Sequence, residues 1–244
     1  MVEAVPKMRT MQIAVKNLSV SYGELCVLRG IDLEVFRGEF ISLVGTSGSG
    51  KTTMVNALAR FIPADGEINI PGKVGVVFQD YSVFPWMTVY ENIAFGLQNG
   101  KRSKIAEIVG QHLKLVGLED RADRYPAQLS GGQAQRVGIA RALAPDPDVI
   151  LMDEPYGALD RDTRERMQKW LLDVWNEDHK TVVFITHDIE EAIFLSDRVL
   201  VLNGGRISGE YNIPFDRPRD EDVKFTTEFI ALKKEILDRM RLNS

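Results

Sequence analysis

The chain is 244 residues long, 44% of them hydrophobic and 27% charged, with a formal net charge of −5 at pH 7. This length allows one domain, or one domain with a subdomain, and the acidic balance argues against nucleic acid as the main partner. Cys26 is the single cysteine, so an internal disulfide is excluded, and we expect a reducing compartment in which Cys26 is a small core residue.

The chain shows no sign of a secretory signal or of a membrane span. Its first ten residues contain no apolar stretch of the needed length, and no run approaches the roughly 18 apolar residues of a membrane helix. We therefore expect a protein that is soluble by itself and that can dock on a membrane protein.

The first predicted elements form a small sheet. Residues 11–36 are rich in Val, Ile and Leu, with expected turns at Gly23 and Gly30, which indicates a largely antiparallel β subdomain. Short apolar runs then alternate with helical patterns, which predicts an α/β fold with a parallel sheet buried on both faces. The strand-like runs are Phe40–Val44, Val74–Phe78, Val149–Met152, Val182–Ile185 and Val199–Leu202.

Helical patterns fill the rest of the chain. Residues 84–145 are mostly helical and are expected to form a subdomain inserted between two strands of the core. Residues 162–178 carry core-packing apolar residues at helical spacing, and the tail from residue 216 to 244 repeats that pattern, so we expect a helix folded back on the domain. The short connection after the first core helix is expected to contain a compact turn at Pro63–Gly66.

A phosphate-binding loop follows the first core strand. Residues 45–52 match the pattern GxxxxGK[ST] between a strand-like and a helix-like segment, the context in which that pattern is a P-loop. Glycines let successive N–H groups point into one anion-sized nest at the positive end of the next helix. Lys51 adds a positive charge for the outer phosphates, and Thr52 adds a hydroxyl for Mg²⁺. The alternative is a flexible Gly/Ser linker, but such a linker would not need a strand before it and a helix after it. The candidate ATP contacts are Gly45, Thr46, Ser47, Gly48, Ser49, Gly50, Lys51, Thr52 and Thr53.

Two carboxylates end the strand at Val149–Met152. A strand end beside the loop is where an α/β sheet places its ligand, so Asp153 is the candidate Mg²⁺ ligand. Glu154 is the candidate general base that polarises the attacking water. Taken alone, two adjacent acids could also be a solvated turn; the phosphate loop favours the functional interpretation.

A second candidate anion site lies at Leu129–Gln133, the segment LSGGQ, which begins a long helical stretch. Small residues at a helix start expose N–H groups, and Ser130 adds a hydroxyl donor. Two anion sites with one catalytic lysine indicate a head-to-tail dimer, in which each ATP is held by the loop of one subunit and the second site of the other. The candidate contacts to the partner subunit's ATP are Ser130, Gly131, Gly132 and Gln133.

With these motifs the sequence resembles the ATP-binding cassette (ABC) ATPases, whose signature is the segment at 129–133. The resemblance implies a P-loop NTPase core with an N-terminal antiparallel β subdomain and an inserted helical subdomain. It covers residues 1–215 and leaves 216–244 as a helical tail. It also implies ATP and Mg²⁺ as cofactors and ATP hydrolysis as the reaction.

The resemblance assigns roles to four further residues. Tyr22 matches the aromatic that stacks on adenine, and Gln79 matches the glutamine that touches Mg²⁺ and the water. Asp160, in the segment Gly157–Asp160, matches the loop at the dimer interface, and His187 matches the switch histidine at the γ-phosphate. Three of them have a plain alternative: a strand-end aromatic for Tyr22, a strand-end polar residue for Gln79, and a neighbour of a helix cap for His187.

The resemblance also implies partners. The chain would dimerise with itself or a close paralogue and drive separate transmembrane permease subunits from the cytoplasmic face of the membrane, with a solute-binding protein as an indirect partner. Permease helices would dock near Gln79 and around Tyr81 to Phe95. The stretch Phe84-Pro85-Trp86 followed by Thr88-Val89 is similar to the nitrate/sulfonate/taurine import branch, although Trp86 could equally be a packed aromatic.

Two rival functions remain open at this point. A non-transport ABC ATPase acting on ribosomes or DNA usually has two cassettes in one chain or a long coiled-coil insert, and neither is present. A small-molecule kinase or GTPase would give the signature at 129–133 no role, and a guanine-reading Asn-Lys-x-Asp segment is absent.

Overall fold

The computed structural model describes residues 10–79, 83–97, 101–157 and 159–241. The strands are β1 (Met11–Tyr22), β2 (Leu25–Phe36), β3 (Phe40–Val44), β4 (Asp65–Asn69), β5 (Val74–Val77), β6 (Val149–Asp153), β7 (Thr181–Thr186), β8 (Arg198–Asn203) and β9 (Arg206–Asn212). The helices are α1 (Lys51–Leu58), α2 (Val89–Ala94), α3 (Arg102–Leu115), α4 (Gly131–Leu143), α5 (Arg161–Asp178), α6 (Ile189–Leu195) and α7 (Thr227–Arg241).

The core is a six-stranded sheet in the order β5-β6-β7-β3-β8-β9. Its first five members run parallel, and β9 pairs antiparallel with β8 at one edge. Every residue of β3, β6 and β7 is buried, which explains why these strands are continuous apolar runs rather than alternating ones. The predicted parallel core is therefore confirmed, and β9 is an element that the sequence analysis did not predict.

The predicted antiparallel subdomain is a three-stranded sheet in the order β2-β1-β4. Gly23 lies in the turn between β1 and β2 with φ 60°, as expected. The turn predicted at Gly30 is wrong. This glycine, with φ 58°, lies inside β2 at a β-bulge, because partners shift there from Leu18↔Ile31 to Val20↔Leu28.

The compact turn predicted at Pro63–Gly66 is also wrong in its second half. Asp65 and Gly66 begin β4, and Asp65 pairs with Ser19 of β1. Gly66 has φ 96°, and a Cβ there would lie 2.4 Å from the carbonyl oxygen of Asn17, so this glycine permits the close approach of the two strands.

The inserted subdomain contains α2, α3 and α4 around a small core of its own. Thr88 caps α2 by accepting a hydrogen bond from the Glu91 N–H at 3.2 Å, while the Glu91 carboxylate accepts from the Thr88 N–H at 2.8 Å. The buried residues that the three helices share are Val89, Ile93, Val109, Leu113, Val137 and Ala140. This confirms the predicted helical insert between β5 and β6.

The last helix, α7, is folded back on the sheet beside α6. Phe229, Ile236 and Met240 are buried against a cluster that includes Ile193 and Val199. In the part of the chain that the structure describes, no helix combines the length and the apolar character that crossing a membrane requires.

Candidate nucleotide-binding site

The phosphate loop leads directly from β3 into α1. Gly50 is the N-cap of α1, with φ 104° and no side chain to accept a capping bond. At Gly45 a Cβ would lie 2.4 Å from the Leu202 carbonyl oxygen and 2.5 Å from Ser49 Oγ. The loop therefore needs glycine at both positions, one for its backbone conformation and one for close packing on the end of β8.

Lys51, the first residue of α1, is folded into the loop. Its side chain is 7% exposed, and its ammonium donates to the carbonyl oxygens of Gly45 at 2.9 Å and Thr46 at 3.1 Å. Burial lowers the pKa of Lys51, and the charges of Glu154 and Asp153 oppose that shift. An ammonium has three donors, and a desolvated one gains strongly from added anionic partners such as phosphate oxygens.

Asp153 ends β6 beside Thr52, with which its carboxylate forms a hydrogen bond. It is 5% exposed, and burial raises its pKa, while the hydrogen bond to Thr52 acts in the opposite direction. Its Oδ1 is buried and makes no hydrogen bond to any residue that the structure describes. A buried carboxylate oxygen with spare acceptor capacity beside a hydroxyl fits Mg²⁺, so Asp153 and Thr52 are the residues that would hold it. When bound with ATP, Mg²⁺ supplies positive charge that neutralises the phosphate oxygens.

Glu154 and His187 meet at the mouth of the loop. His187 Nδ1 lies 3.0 Å from Glu154 Oε2, and Lys51 Nζ lies 3.9 Å from Glu154 Oε1. Glu154 has φ 43°, a left-handed conformation that costs free energy for a residue other than glycine. Its backbone N–H donates to the Ile185 carbonyl at 2.9 Å, so the pairing of strand ends β6 and β7 holds this conformation in place.

Lys51, Thr52, Glu154 and His187 line one open cavity of about 510 Å³. Gln79 lies after β5 and also lines the cavity: a Cβ added at Gly157 would lie 3.5 Å from Gln79 Nε2 and 3.9 Å from Glu154 Oε2. The lining residues are Val27, Ser47, Gly48, Gly50, Lys51, Thr52, Thr53, Gln79, Glu154 and His187. The structure thus brings together most of the residues that the sequence analysis assigned to one ATP.

Several residues differ from the sequence-based assignment. Four residues assigned to the loop or to Mg²⁺ are not among those that line the cavity: Gly45, Thr46, Ser49 and Asp153. Tyr22 lies at the end of β1, is 53% exposed and does not line the cavity, so its stacking role stays a prediction. Val27 of β2 does line it and contacts the loop, since a Cβ at Gly50 would lie 3.3 Å from Val27 Cγ1. Val27 could not be predicted from the sequence, because it is one apolar residue within an ordinary strand pattern.

The signature segment stands apart from the cavity of its own chain. Ser130 is the N-cap of α4: its Oγ accepts from the Gln133 N–H at 3.3 Å, and Gln133 Oε1 accepts from the Ser130 N–H at 3.0 Å. This capping box leaves the Ser130 hydroxyl hydrogen available as a donor. Ser130 and Gly131 are exposed, Gly132 is buried with Thr163 Cγ2 beside it, and none of the segment lines the loop's cavity.

The predicted interface loop leads into α5. Asp160 is exposed and is the N-cap of α5, where its carboxylate accepts from the Thr163 N–H at 3.0 Å. Hydrogen bonds from Thr163 lower the pKa of Asp160. Ala158 of this loop lies outside the described residues. Thr163 therefore touches both Asp160 and Gly132, so the interface loop and the signature helix lie against each other at the start of α5.

Residues 28–157 match the family described as "ABC transporter", which is more than half of the chain. The chain belongs to the ABC transporter family. The cassette is 44% identical over 92% of its length to the bicarbonate transport ATP-binding protein CmpC of Synechococcus elongatus, of which it spans 37%. It is 43% identical to the taurine import ATP-binding protein TauB of Escherichia coli, covering 93% of this chain and 96% of that one.

A solved structure with the same fold is a dimeric post-hydrolysis state of the ATP-binding cassette MJ0796 bound to ADP and Pi. Its TM-score is 0.73 at 34% identity, and the match covers 84% of this chain and 100% of that one. These findings confirm the predicted fold class, with its P-loop NTPase core and two subdomains. They also confirm that the cassette is an ATPase whose cofactors are ATP and Mg²⁺.

Proposed function

We propose that this cassette is the ATP-hydrolysing subunit of an ABC importer. Two copies, or one copy and a close paralogue, close head to tail over two Mg-ATP and drive transmembrane permease subunits. The solutes are of the nitrate, sulfonate and taurine type, delivered by a solute-binding protein. The observation that carries the proposal is the separation of the signature segment at 129–133 from a cavity that is lined by Lys51, Thr52, Gln79, Glu154 and His187.

The chemistry within one half-site follows from the geometry. Glu154 accepts the proton of the attacking water, and His187 holds the Glu154 carboxylate at 3.0 Å while reaching toward the γ-phosphate. Lys51 and the loop N–H groups stabilise charge on the transferring phosphoryl group. Ser130 and the N–H groups at the start of α4 supply the second half when a partner subunit closes over the nucleotide.

A complementation experiment tests the composite site. In a head-to-tail dimer, Lys51→Ala disables the loop half and Ser130→Arg disables the signature half, so each homodimer is inactive. Mixing the two variants creates one intact site per heterodimer, because the loop of one chain faces the signature of the other. We expect ATPase activity to reappear on mixing, to about a quarter of the wild-type rate by random pairing of equal amounts.

Mixing Lys51→Ala with Thr52→Ala is the matched control, since both variants disable the same half. This mixture should restore no ATPase activity. If the first mixture also restores nothing, while both proteins fold and dimerise, the site is not shared between subunits. The solved MJ0796 cassette is dimeric, which supports the proposal.

The surface for the permease is the aromatic groove of the helical insert. Trp86 is 69% exposed and Phe95 42%, and they line a groove of about 470 Å³ together with Met87, Tyr90 and Ile105. The Phe84 ring contacts those of Trp86 and Phe95 in tilted arrangements, with centroids 5.5 Å and 4.6 Å away. A groove with an apolar floor and exposed aromatic rims suits a short amphipathic helix from a partner. The predicted docking stretch begins at Tyr81, which with Ser82 lies outside the described residues.

Purification of the tagged cassette from native membranes tests this surface. Trp86→Ala should abolish recovery of a polytopic membrane protein without changing ATP binding. Phe225→Ala is the matched control, because Phe225 is also an exposed aromatic, 77% accessible, but lies near the tail helix. Equal recovery from both variants would contradict docking at the groove. Recovery of ribosomal RNA or DNA in place of a permease would favour the non-transport alternative.

The importer branch rests on the names of the relatives together with the Phe84–Trp86 segment. CmpC is named for bicarbonate transport and TauB for taurine import. As a permease-bound subunit the cassette would be peripheral on the cytoplasmic face of the membrane. Deletion of its gene should abolish growth on one such solute as the sole source of the element it supplies. Restoration by the wild-type gene, but not by the Glu154→Gln variant, would assign that solute.

A further inference from the structure

A second cavity lies at the opposite end of the sheet from the nucleotide. The nucleotide groups follow the carboxyl ends of β3, β6 and β7, whereas Lys73, Asp146 and Lys180 precede β5, β6 and β7. These three residues line a cavity of about 520 Å³ between α3, α5 and the sheet. Its walls therefore come from both the helical insert and the core, and it shares no lining residue with the nucleotide cavity.

The floor of this cavity is apolar and buried. Met152 and Ile150 point into it from alternate positions of β6, and Trp175 and Leu171 line it from α5. Trp175 is 7% exposed and its ring is fixed, since its Nε1 donates to the Lys180 carbonyl at 2.7 Å. A volume of about 520 Å³ falls within the range of roughly 300–1,000 Å³ of small-molecule sites.

The mouth of the cavity is basic. Lys180 Nζ lies 2.5 Å from Asp146 Oδ1, and the charges of Lys73 and His112 also act on this one carboxylate. Lys73 Nζ donates to the Pro145 carbonyl at 3.0 Å, which holds it at the rim. Asp146 can neutralise only one of the two lysines, Lys73 and Lys180, that act on it, so positive charge remains beside the apolar floor.

The rim contains one further residue of each charge. Lys104 and Glu177 line the cavity, and neither makes a hydrogen bond or ion pair through its side chain with another described residue. Counting three lysines against two carboxylates leaves an excess of one positive charge. Apolar walls with a few convergent polar groups of one sign are the features of a site for a small charged organic molecule.

We propose that this cavity is a binding site for a small organic monoanion with an apolar body, such as a medium-chain carboxylate. The apolar part lies on Met152, Leu171 and Trp175, and the carboxylate lies between Lys73, Lys180 and His112. The site is independent of the transport proposal, because it depends only on the packing of the helical insert on the core.

Calorimetric titration of the intact cassette with octanoate below its micellar range tests the site. We expect saturable binding with one molecule per chain. Octanol shares the apolar body and lacks the charge, and octylammonium reverses the charge. Octanol should bind up to about fivefold more weakly, since a partly exposed charge pair contributes up to about 1 kcal/mol, and octylammonium should bind more weakly than octanol.

Two variants and one control locate the site. Gln111→Trp places a large ring at the mouth from the exposed face of α3, and it should weaken octanoate binding at least about tenfold by blocking access. Lys73→Glu should weaken it about fivefold by reversing one charge. Lys16→Glu is the matched control, because Lys16 is an exposed lysine of β1 that does not line the cavity, and binding should be unchanged.

Fluorine NMR of the fluorotryptophan-labelled cassette shows directly where octanoate binds. The chain has three tryptophans, and of these Trp175 alone lines the cavity. Octanoate should shift the Trp175 resonance and leave that of Trp86 in place. A lack of saturable binding, equal binding of octylammonium, or octanoate affinity unchanged in both Gln111→Trp and Lys73→Glu would overturn the proposal.

Discussion

The Glu154 carboxylate and the His187 imidazole are hydrogen-bonded across the ends of β6 and β7, with 3.0 Å between Oε2 and Nδ1. Glu154 is 20% and His187 60% exposed at the side chain, so the pair faces the nucleotide cavity from its open side. When Nδ1 donates to the carboxylate, Nε2 is the ring nitrogen that remains for another partner. The glutamate thereby fixes the orientation of the histidine ring, and the histidine fixes the carboxylate that we propose as the general base.

Glu154→Gln should separate this positioning role from the base role. The amide can still pair with His187 Nδ1, so ATP binding and the fold should be retained. It cannot accept a proton, and we expect kcat to fall by about 10²–10⁴-fold. Turnover and equilibrium ATP binding, measured on the same preparation, check this. A kcat within a few-fold of wild type would show that Glu154 is not the base.

Gly45→Ala tests the packing of the phosphate loop. The new Cβ would lie 2.4 Å from the Leu202 carbonyl oxygen, a backbone atom that cannot move away without distorting β8. We expect loss of ATP binding together with a lower free energy of unfolding, by about 1–3 kcal/mol, measured by urea titration.

Gly110→Ala is the matched control for this substitution. Gly110 is an exposed residue within α3, and a Cβ there meets nothing within 4 Å. Alanine should raise the unfolding free energy by about 0.5–1 kcal/mol, because glycine is a poor helix former. If Gly45→Ala behaved like Gly110→Ala, the close approach to Leu202 would not constrain the loop.

The sequence was most informative where a short local pattern determines the secondary structure by itself. The buried runs Phe40–Val44 and Val149–Met152 predicted strands, and the strand ends predicted where Lys51 and Asp153 would meet. Gly30 was misjudged because a glycine with positive φ serves a turn or a bulge equally well, and only the pairing of β1 with β2 decides between them. The start of β4 was likewise decided by its partner strand rather than by its own residues.

Site residues that depend on tertiary contacts could not be predicted. Val27 is an unremarkable strand residue until α1 brings Gly50 against it. The exposure of Tyr22 and the distance of Ser130 from the loop of its own chain both follow from how the subdomains are placed on the core. The basic cavity around Asp146 joins residues 73, 112, 146 and 180, a combination that no local spacing reveals.

Glu191 of α6 gives the stability of the cassette a defined pH dependence. Its side chain is 5% exposed and accepts from Gln168 Nε2 at 2.9 Å. Burial raises its pKa above the usual 4.5, while hydrogen bonds to Thr186 and Gln168 oppose the shift. A raised carboxyl pKa means that the folded state holds the proton more tightly. This contribution to stability is therefore complete below pH 4.5 and is lost as pH rises through the folded-state pKa.

Glu191→Gln should remove that dependence. The neutral amide keeps an acceptor for Gln168, so the variant should gain stability relative to wild type as pH rises from 4.5 toward neutrality. Urea unfolding of both proteins at several pH values measures this difference. The control is Glu235→Gln, at an exposed position of α7. A difference between variant and wild type that stays constant with pH would refute the assignment to Glu191.

Arg219 anchors the start of the tail to the end of α6. Its guanidinium is buried and donates to the carbonyl oxygens of Ile193 at 2.9 Å, Phe194 at 2.9 Å, Ser196 at 2.7 Å and Phe215 at 2.9 Å. Burial, reinforced by the charge of Arg217, lowers its pKa to about 10, so it remains charged at neutral pH. One side chain thus satisfies the last carbonyls of the helix that follows His187.

Arg219→Met should destabilise the cassette by about 2–5 kcal/mol, because it keeps the apolar stem but leaves several buried carbonyls without donors. Arg206→Met is the matched control, since Arg206 is exposed on β9, and it should change the unfolding free energy by less than about 0.5 kcal/mol. Chemical denaturation of the two variants measures the difference. Equal stabilities would mean that water replaces the lost donors, and that the tail is held to α6 by the packing of Phe229 and Ile236 alone.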